Sequence, residues 1–243
     1  MSKGLAGVDS SFPITQAILD QVHEHFQAPA AYWGRYFGGV TSSDRAEYRR
    51  VLEGSLFAKA KIPVLPIGQN TVRVGGSESD GFQDGTDQVE DLLSSFDPAK
   101  LAQQSEVFVF LDVEPRPALS AEYYLGWSKA LTAERGNGIK FLPCLYSNWA
   151  SNSTWSALVS ATKSGASCHG VWVAAWHGSG ACPQRKDFDE AFLTPAVSDF
   201  NFPILLWQYS DRCGGPVGDV DLNQLNPKTD SKWFLSRLIY LGS

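Results

Sequence analysis

Short runs rich in β-forming residues recur along this chain with amphipathic stretches between most of them, and that alternation restricts the fold more than any other feature. The runs are "LAGVDSS" (5–11), "AYWGRYF" (31–37), "IPVLPIGQN" (62–70) and "EVFVFLDVE" (106–114), followed by "IKFLPCLYSN" (139–148), "HGVWVAAW" (169–176), "FPILLWQYS" (202–210) and "VGDVDLNQL" (217–225). Helical spacing of apolar residues is clear over 13–26, where Ile14, Ala17, Ile18 and Val22 share a face, and over 44–60, which opens at Asp44 as an expected N-cap. Residues 84–96 and 118–135 read similarly, with Ser120 placed to start the second of these. Weaker helices are expected over 153–164 and 187–198, and a closing helix over 231–240. Strands separated by helices imply parallel βα units. Eight of them in 243 residues is the arithmetic of a barrel.

The expected fold class is therefore α/β, an irregular (β/α) TIM-type barrel of eight strands with degenerate final helices, forming one domain over residues 1–243. The loop between the last two runs, "DRCGGPVG", is too short to hold a crossover helix. A doubly wound open sheet is the alternative. Its glycine-rich phosphate turn is absent after the first run, where the chain reads "GVDSSFP", so a nucleotide role loses its main support.

Composition narrows the function classes. Hydrophobic content of 43% and charged content of 19% are globular values. A net charge of −6, with Arg49-Arg50 the one tight basic cluster, argues against nucleic acid as a partner. No apolar run reaches the roughly 18 residues that span a membrane, and "MSKGLAGVDSS" lacks the apolar region of a signal peptide. Cys144, Cys168, Cys182 and Cys213 have no metal-site spacing, and Cys144 reads as a buried free thiol. Cys182 and Cys213 follow neighbouring strands at the same end of the barrel, where a disulfide and two free thiols are both open readings.

In such barrels the reactive groups sit at the carboxyl ends of the strands. Those ends supply Asp9, then Arg35 to Phe37, Gln69-Asn70, Asp112 and Glu114, Tyr146 to Asn148, Trp176-His177, Gln208-Tyr209, and Asp219 with Asp221. Asp112 and Glu114 are two apart, so they share a strand face about 6.6 Å from each other. Carboxyl groups that close in a dry cleft raise one another's proton affinity. One acid can then protonate a leaving oxygen while others stabilise positive charge, as glycoside hydrolysis requires. Taken singly, each acid has an ordinary reading: Asp112-x-Glu114 as a solvated loop entry, Asp9 as an N-cap, Asp221 as a turn residue. Their coincidence at strand ends favours the chemical reading. Most of the tryptophans are expected in the core, although such rings also stack on sugars. His23 and His25 face different sides of a helix and make a poor metal pair, and no hydrolase motif built on His, Ser or Cys occurs.

In their order, "AGVDSS", "FLDVE", "LYSN", "VWVAAW" and "LLWQYS…GDVDLN" resemble glycoside hydrolase family 25, the lysozyme-type muramidases with an irregular β/α barrel. The second run, "YWGRYFGG", and "VLPIGQN" are more similar to a related glycoside-hydrolase-like family of unknown function that has a Tat-exported mycobacterial member. The resemblance implies Glu114 as general acid, Asp112 as the group that orients a substrate acetamido group or stabilises charge, and Asp9 and Asp221 as the rest of an acidic floor. It further implies Tyr146, Trp176 and Gln208 as sugar contacts, and Arg35, Tyr36 and Gln69, at the ends of the second and third runs, are expected to bind substrate with them. Arg35 beside the acids would lower a carboxyl pKa, against the need of an acid catalyst.

The expected activity is a glycosidase on a cell-wall polysaccharide, with peptidoglycan the leading candidate and no metal or organic cofactor. The alternative is a carbohydrate-binding barrel that keeps the acids without turnover. An amidase or transferase is a third reading. The expected state is a monomer without a membrane span, secreted or delivered to the cell wall or periplasm by a route not visible in this sequence.

Overall fold

A computed structural model describes residues 2–38, 50–68, 72–135, 138–176, 182–211, 213 and 220–241. Each run proposed as a strand forms one: β1 (Ala6–Asp9), β2 (Trp33–Phe37), β3 (Val64–Gly68), β4 (Glu106–Val113), β5 (Lys140–Asn148), β6 (Val171–Ala174), β7 (Ile204–Ser210) and β8 (Asp221–Leu225). They close into a barrel in chain order. β1 to β7 pair in parallel, while β8 runs antiparallel to both β7 and β1. The physical reason is the short connection after Ser210, because a parallel return needs a crossover of a dozen or more residues. This reversal makes the barrel irregular.

The helices are α1 (Gln16–Phe26), α2 (Arg50–Ala60), α3 (Glu78–Ser95), α4 (Pro98–Leu101), α5 (Ala121–Thr132), α6 (Asn152–Lys163), α7 (Glu190–Leu193) and α8 (Ser231–Leu235). Ser120 caps α5 as expected, accepting from the Tyr123 amide at 3.0 Å. α3 begins earlier than its apolar periodicity indicates. Ser77 and Asp80 form a reciprocal capping box there, which satisfies amides that would otherwise be orphaned. The expected cap Asp44 lies outside the described residues. The two last helices shrink to about one turn each, which matches the expected degeneracy.

Alternation along the strands sorts the core into two layers. Val107, Val109, Leu111 and Val113 of β4 face the helices, whereas Phe108 and Phe110 face the barrel interior. α8 lays Phe234 across the amino-terminal end of the barrel, stacked on Phe108 at 5.7 Å between ring centroids. Above them Phe110 meets Trp172 edge to face at 5.7 Å. Each such ring contributes about 1.5–3 kcal/mol through its burial. The lower half of the interior is therefore dry and closed, and polar side chains are left for the upper half. No helix among the described residues is long and apolar enough to cross a membrane.

Candidate active site

Continuing up the inner face of β4, the residue after Phe110 in the alternation is Asp112, buried to 5% exposure. Glu114 follows just past the strand end and is exposed. On β1 the inward residue is Asp9, 2% exposed. It is not a helix cap, since α1 is capped by Thr15. Asp221 opens β8 directly opposite Asp9 in the antiparallel register, and so is not a turn residue. Three strands far apart in sequence thus bring Asp9, Asp112 and Asp221 to the open end of one barrel, with Glu114 at its mouth. A close approach on β2 makes room for them: a Cβ at Gly34 would fall 2.6 Å from the Asp9 Cβ.

One amide organises this floor. Gln208 Nε2 donates to Asp9 Oδ2 at 3.3 Å and to Asp221 Oδ2 at 3.0 Å. Its Oε1 accepts from the Tyr146 hydroxyl at 2.8 Å and from Trp176 Nε1 at 3.0 Å. Asn223 Nδ2 adds a donor to Asp9 Oδ2 at 2.8 Å. Asn223 was missed in the sequence although it stands two residues beyond Asp221, on the same face of a strand.

Burial pushes the Asp9 carboxyl up to about 7, against the Asn223 and Gln208 hydrogen bonds and the field of Arg35, which pull it down. Asp112 is pushed well above the usual carboxylate range, first by burial and then by Glu114, Asp9 and Asp221. Its Oδ1 is buried with no hydrogen-bond partner among the described residues. Both buried acids of the floor, Asp9 and Asp112, are thus raised.

These shifts carry a stability consequence. An acid with a raised folded-state pKa binds more protons folded than unfolded, so its contribution is present below the unfolded value and lost as pH rises through the folded one. For Asp9 that window runs from 3.8 to about 7. Thermal melts between pH 4 and 8 should show Tm falling as pH rises across this window, and Asp9→Asn should make the fall shallower. An unchanged slope in the variant would contradict a buried proton on Asp9.

The remaining expected site residues divide. Tyr36 faces the acids, and burial together with the fields of Asp112 and Asp9 holds its phenol well above the usual range. Tyr146 and Trp176 belong to the Gln208 network. Gln69 and His177 lie outside the described residues, as does Asp219. Arg35 points the other way. It sits on the outer face of β2 between Trp33 and Phe37, is fully buried, and pairs with the equally buried Glu53 of α2 at 3.0 Å. A second contact, Nη2 to Glu53 Oε2, measures 3.1 Å. Arg35 also donates to the Ser10 carbonyl, and Glu53 accepts from the Ile14 amide at 2.9 Å. The expectation of Arg35 as a sugar contact is therefore corrected. It braces the chain segment that follows Asp9, and its effect on that acid is outweighed by burial.

The tryptophans also divide by position. Trp33, Trp127, Trp172 and Trp207 are buried, while Trp149 and Trp176, which follow β5 and β6, remain 41% and 43% exposed at the mouth. Cys144 is a buried thiol as expected. Cys182 and Cys213 are adjacent and unbridged, with Cys182 Sγ donating to the Cys213 carbonyl at 3.0 Å. Burial pushes the Cys213 thiol up to about 12, which leaves it a poor nucleophile. No grouping of three or more potential metal ligands occurs among the described residues.

Known structures share this architecture. An uncharacterized protein of B. stearothermophilus superposes with a TM-score of 0.69 at 20% identity, covering 97% of this chain and 100% of that one. What is shared is the barrel. The catalytic domain of the endolysin Ply40, from bacteriophage P40 of Listeria monocytogenes, gives 0.57 at 17% identity over 96% and 98% of the two chains. A Tat-secreted protein of Mycobacterium tuberculosis, solved with L-tartrate, gives 0.55 at 13% over 92% and 96%. No family model matches the sequence, and no curated protein does.

Proposed function

We propose that the protein is a glycoside hydrolase acting on a cell-wall polysaccharide, with peptidoglycan as the substrate class. The observation that carries this reading is Asp112. It is a carboxyl group on the floor of an open-ended barrel, with an unpartnered buried oxygen and a pKa held high by its surroundings. A neutral Asp112 can donate its proton in a hydrogen bond to an acetamido carbonyl, which holds that group beside the anomeric carbon. Glu114, two residues on and open to solvent, is the acid that protonates the glycosidic oxygen as its bond to the anomeric carbon breaks, while the acetamido oxygen or a water molecule forms the new bond to that carbon. Asp9 and Asp221, when ionised, place negative charge where positive charge develops on the sugar ring. The half-exposed ring of Trp176 offers a stacking surface above them. The chemistry needs no metal or organic cofactor. The likeness to an endolysin catalytic domain supports the reading at the level of the barrel, and places of action outside the cytoplasm, at a cell wall, follow from such a substrate.

The test is the bond broken. Purified peptidoglycan incubated with the protein should gain reducing ends without gaining free amines. New amines would make it an amidase. Retention of N-acetylglucosamine oligomers without any new reducing end would make it a binding barrel.

A further inference from the structure

The geometry points to Gln208 as a positioning residue that ties the acid floor to the aromatic wall, and not as a sugar contact. This inference deepens the glycosidase reading and rests on it for the identity of the ligand. A primary amide has two N–H donors and two carbonyl lone pairs. At Gln208 all four are used, by Asp9 and Asp221 on the nitrogen and by Tyr146 and Trp176 on the oxygen. The orientation of the amide is forced, because the reverse would set its oxygen against two carboxyl groups and its NH2 against two donors. Nothing on Gln208 is left for a substrate, and at 2% exposure it is sealed behind its partners.

Two consequences follow. Asp9 and Asp221 are register partners across β1 and β8, and the amide stands between their like charges. The Tyr146 hydroxyl hydrogen is committed to Gln208, so its oxygen presents only lone pairs to the cleft. At that point the cleft takes a hydrogen-bond donor from its ligand, a sugar hydroxyl or an amide N–H, and offers none.

Two substitutions separate the roles. Gln208→Glu keeps acceptors for Tyr146 and Trp176 but loses both N–H donors. Gln208→Met keeps similar volume and loses everything polar. The first readout is the carboxyl-carbon NMR titration of Asp9, which needs no turnover. The other groups acting on Asp9 stay in place in both variants: Asn223 and Asp221 on β8, Arg35 behind β2, Asp211 beyond β7, Asp112 and Tyr36 across the floor, and Tyr32 below. The midpoint near 7 in the wild type should rise by about one pH unit in Gln208→Met and further in Gln208→Glu, where a third carboxyl joins. The second readout is KM on peptidoglycan, which should stay within about twofold in Gln208→Glu and rise about tenfold in Gln208→Met, a loss on the scale of one polar anchor. An Asp9 midpoint unmoved in both variants overturns the inference, as does an equal rise in KM in both. If the wild type forms no reducing ends, the glycosidase reading fails and the Asp9 titration alone decides on Gln208. Should Gln208→Met not fold, the Gln208→Glu titration decides.

Discussion

Glu114→Gln should cut the release of reducing ends from peptidoglycan by at least about a hundredfold, the usual scale for removing a positioned acid. Its melting temperature should stay close to that of the wild type. The two expectations come from one geometric fact, that Glu114 is exposed just past the end of β4 while Asp112 is buried inside it. An isosteric change at an exposed position removes no packing, so stability is nearly untouched. The amide has no acidic proton to deliver, so the leaving oxygen must depart unprotonated. A variant that lyses at the wild-type rate would show that another group is the acid. Asp112→Asn is the informative companion. It keeps a donor for an acetamido carbonyl but removes the buried titrating group, and it should weaken activity less than Glu114→Gln does.

The largest expected effect on stability lies on the other side of the wall. Arg35→Met should lower Tm on the order of 10 °C. Arg35 and Glu53 are both fully buried, and their attraction offsets the cost of taking each from water only while both are present. Removing the guanidinium leaves Glu53 as an uncompensated buried charge, typically a loss of about 3–5 kcal/mol. It also frees the Ser10 carbonyl, and with it the chain just after Asp9. Glu53→Leu in the same background should recover much of the loss, since an apolar pair of similar volume replaces a buried ion pair at little net cost. Calorimetric melts of the two single variants and the double variant decide this. A single variant with an unchanged Tm and weakened substrate binding would return Arg35 to the cleft.

Local chemistry alone determined a good deal of this protein. β-forming runs between amphipathic stretches specify strands and helices through side-chain periodicity, which is a property of neighbours in the chain. The eight strands, the inward direction of Asp112 beside Phe110, and the helix start at Ser120 were all legible for that reason. So was the absence of a crossover before β8, because loop length is read directly. Which face of β2 looks inward was not legible. "YWGRYF" alternates without a clear polar side, and both Arg35 and Tyr36 are amphipathic enough for either face. Closure of the barrel decided it, turning Gly34 and Tyr36 toward Asp9 and sending Arg35 to Glu53, 18 residues away on α2. The role of Gln208 was out of reach for the same reason. Its partners Asp9 and Tyr146 lie 199 and 62 residues away in sequence, and no pattern along the chain encodes a hydrogen bond that exists only once β1, β5, β7 and β8 share one interior. The acids were written in the strands, and the tertiary structure settled which of them are buried, which one faces solvent, and what holds them apart.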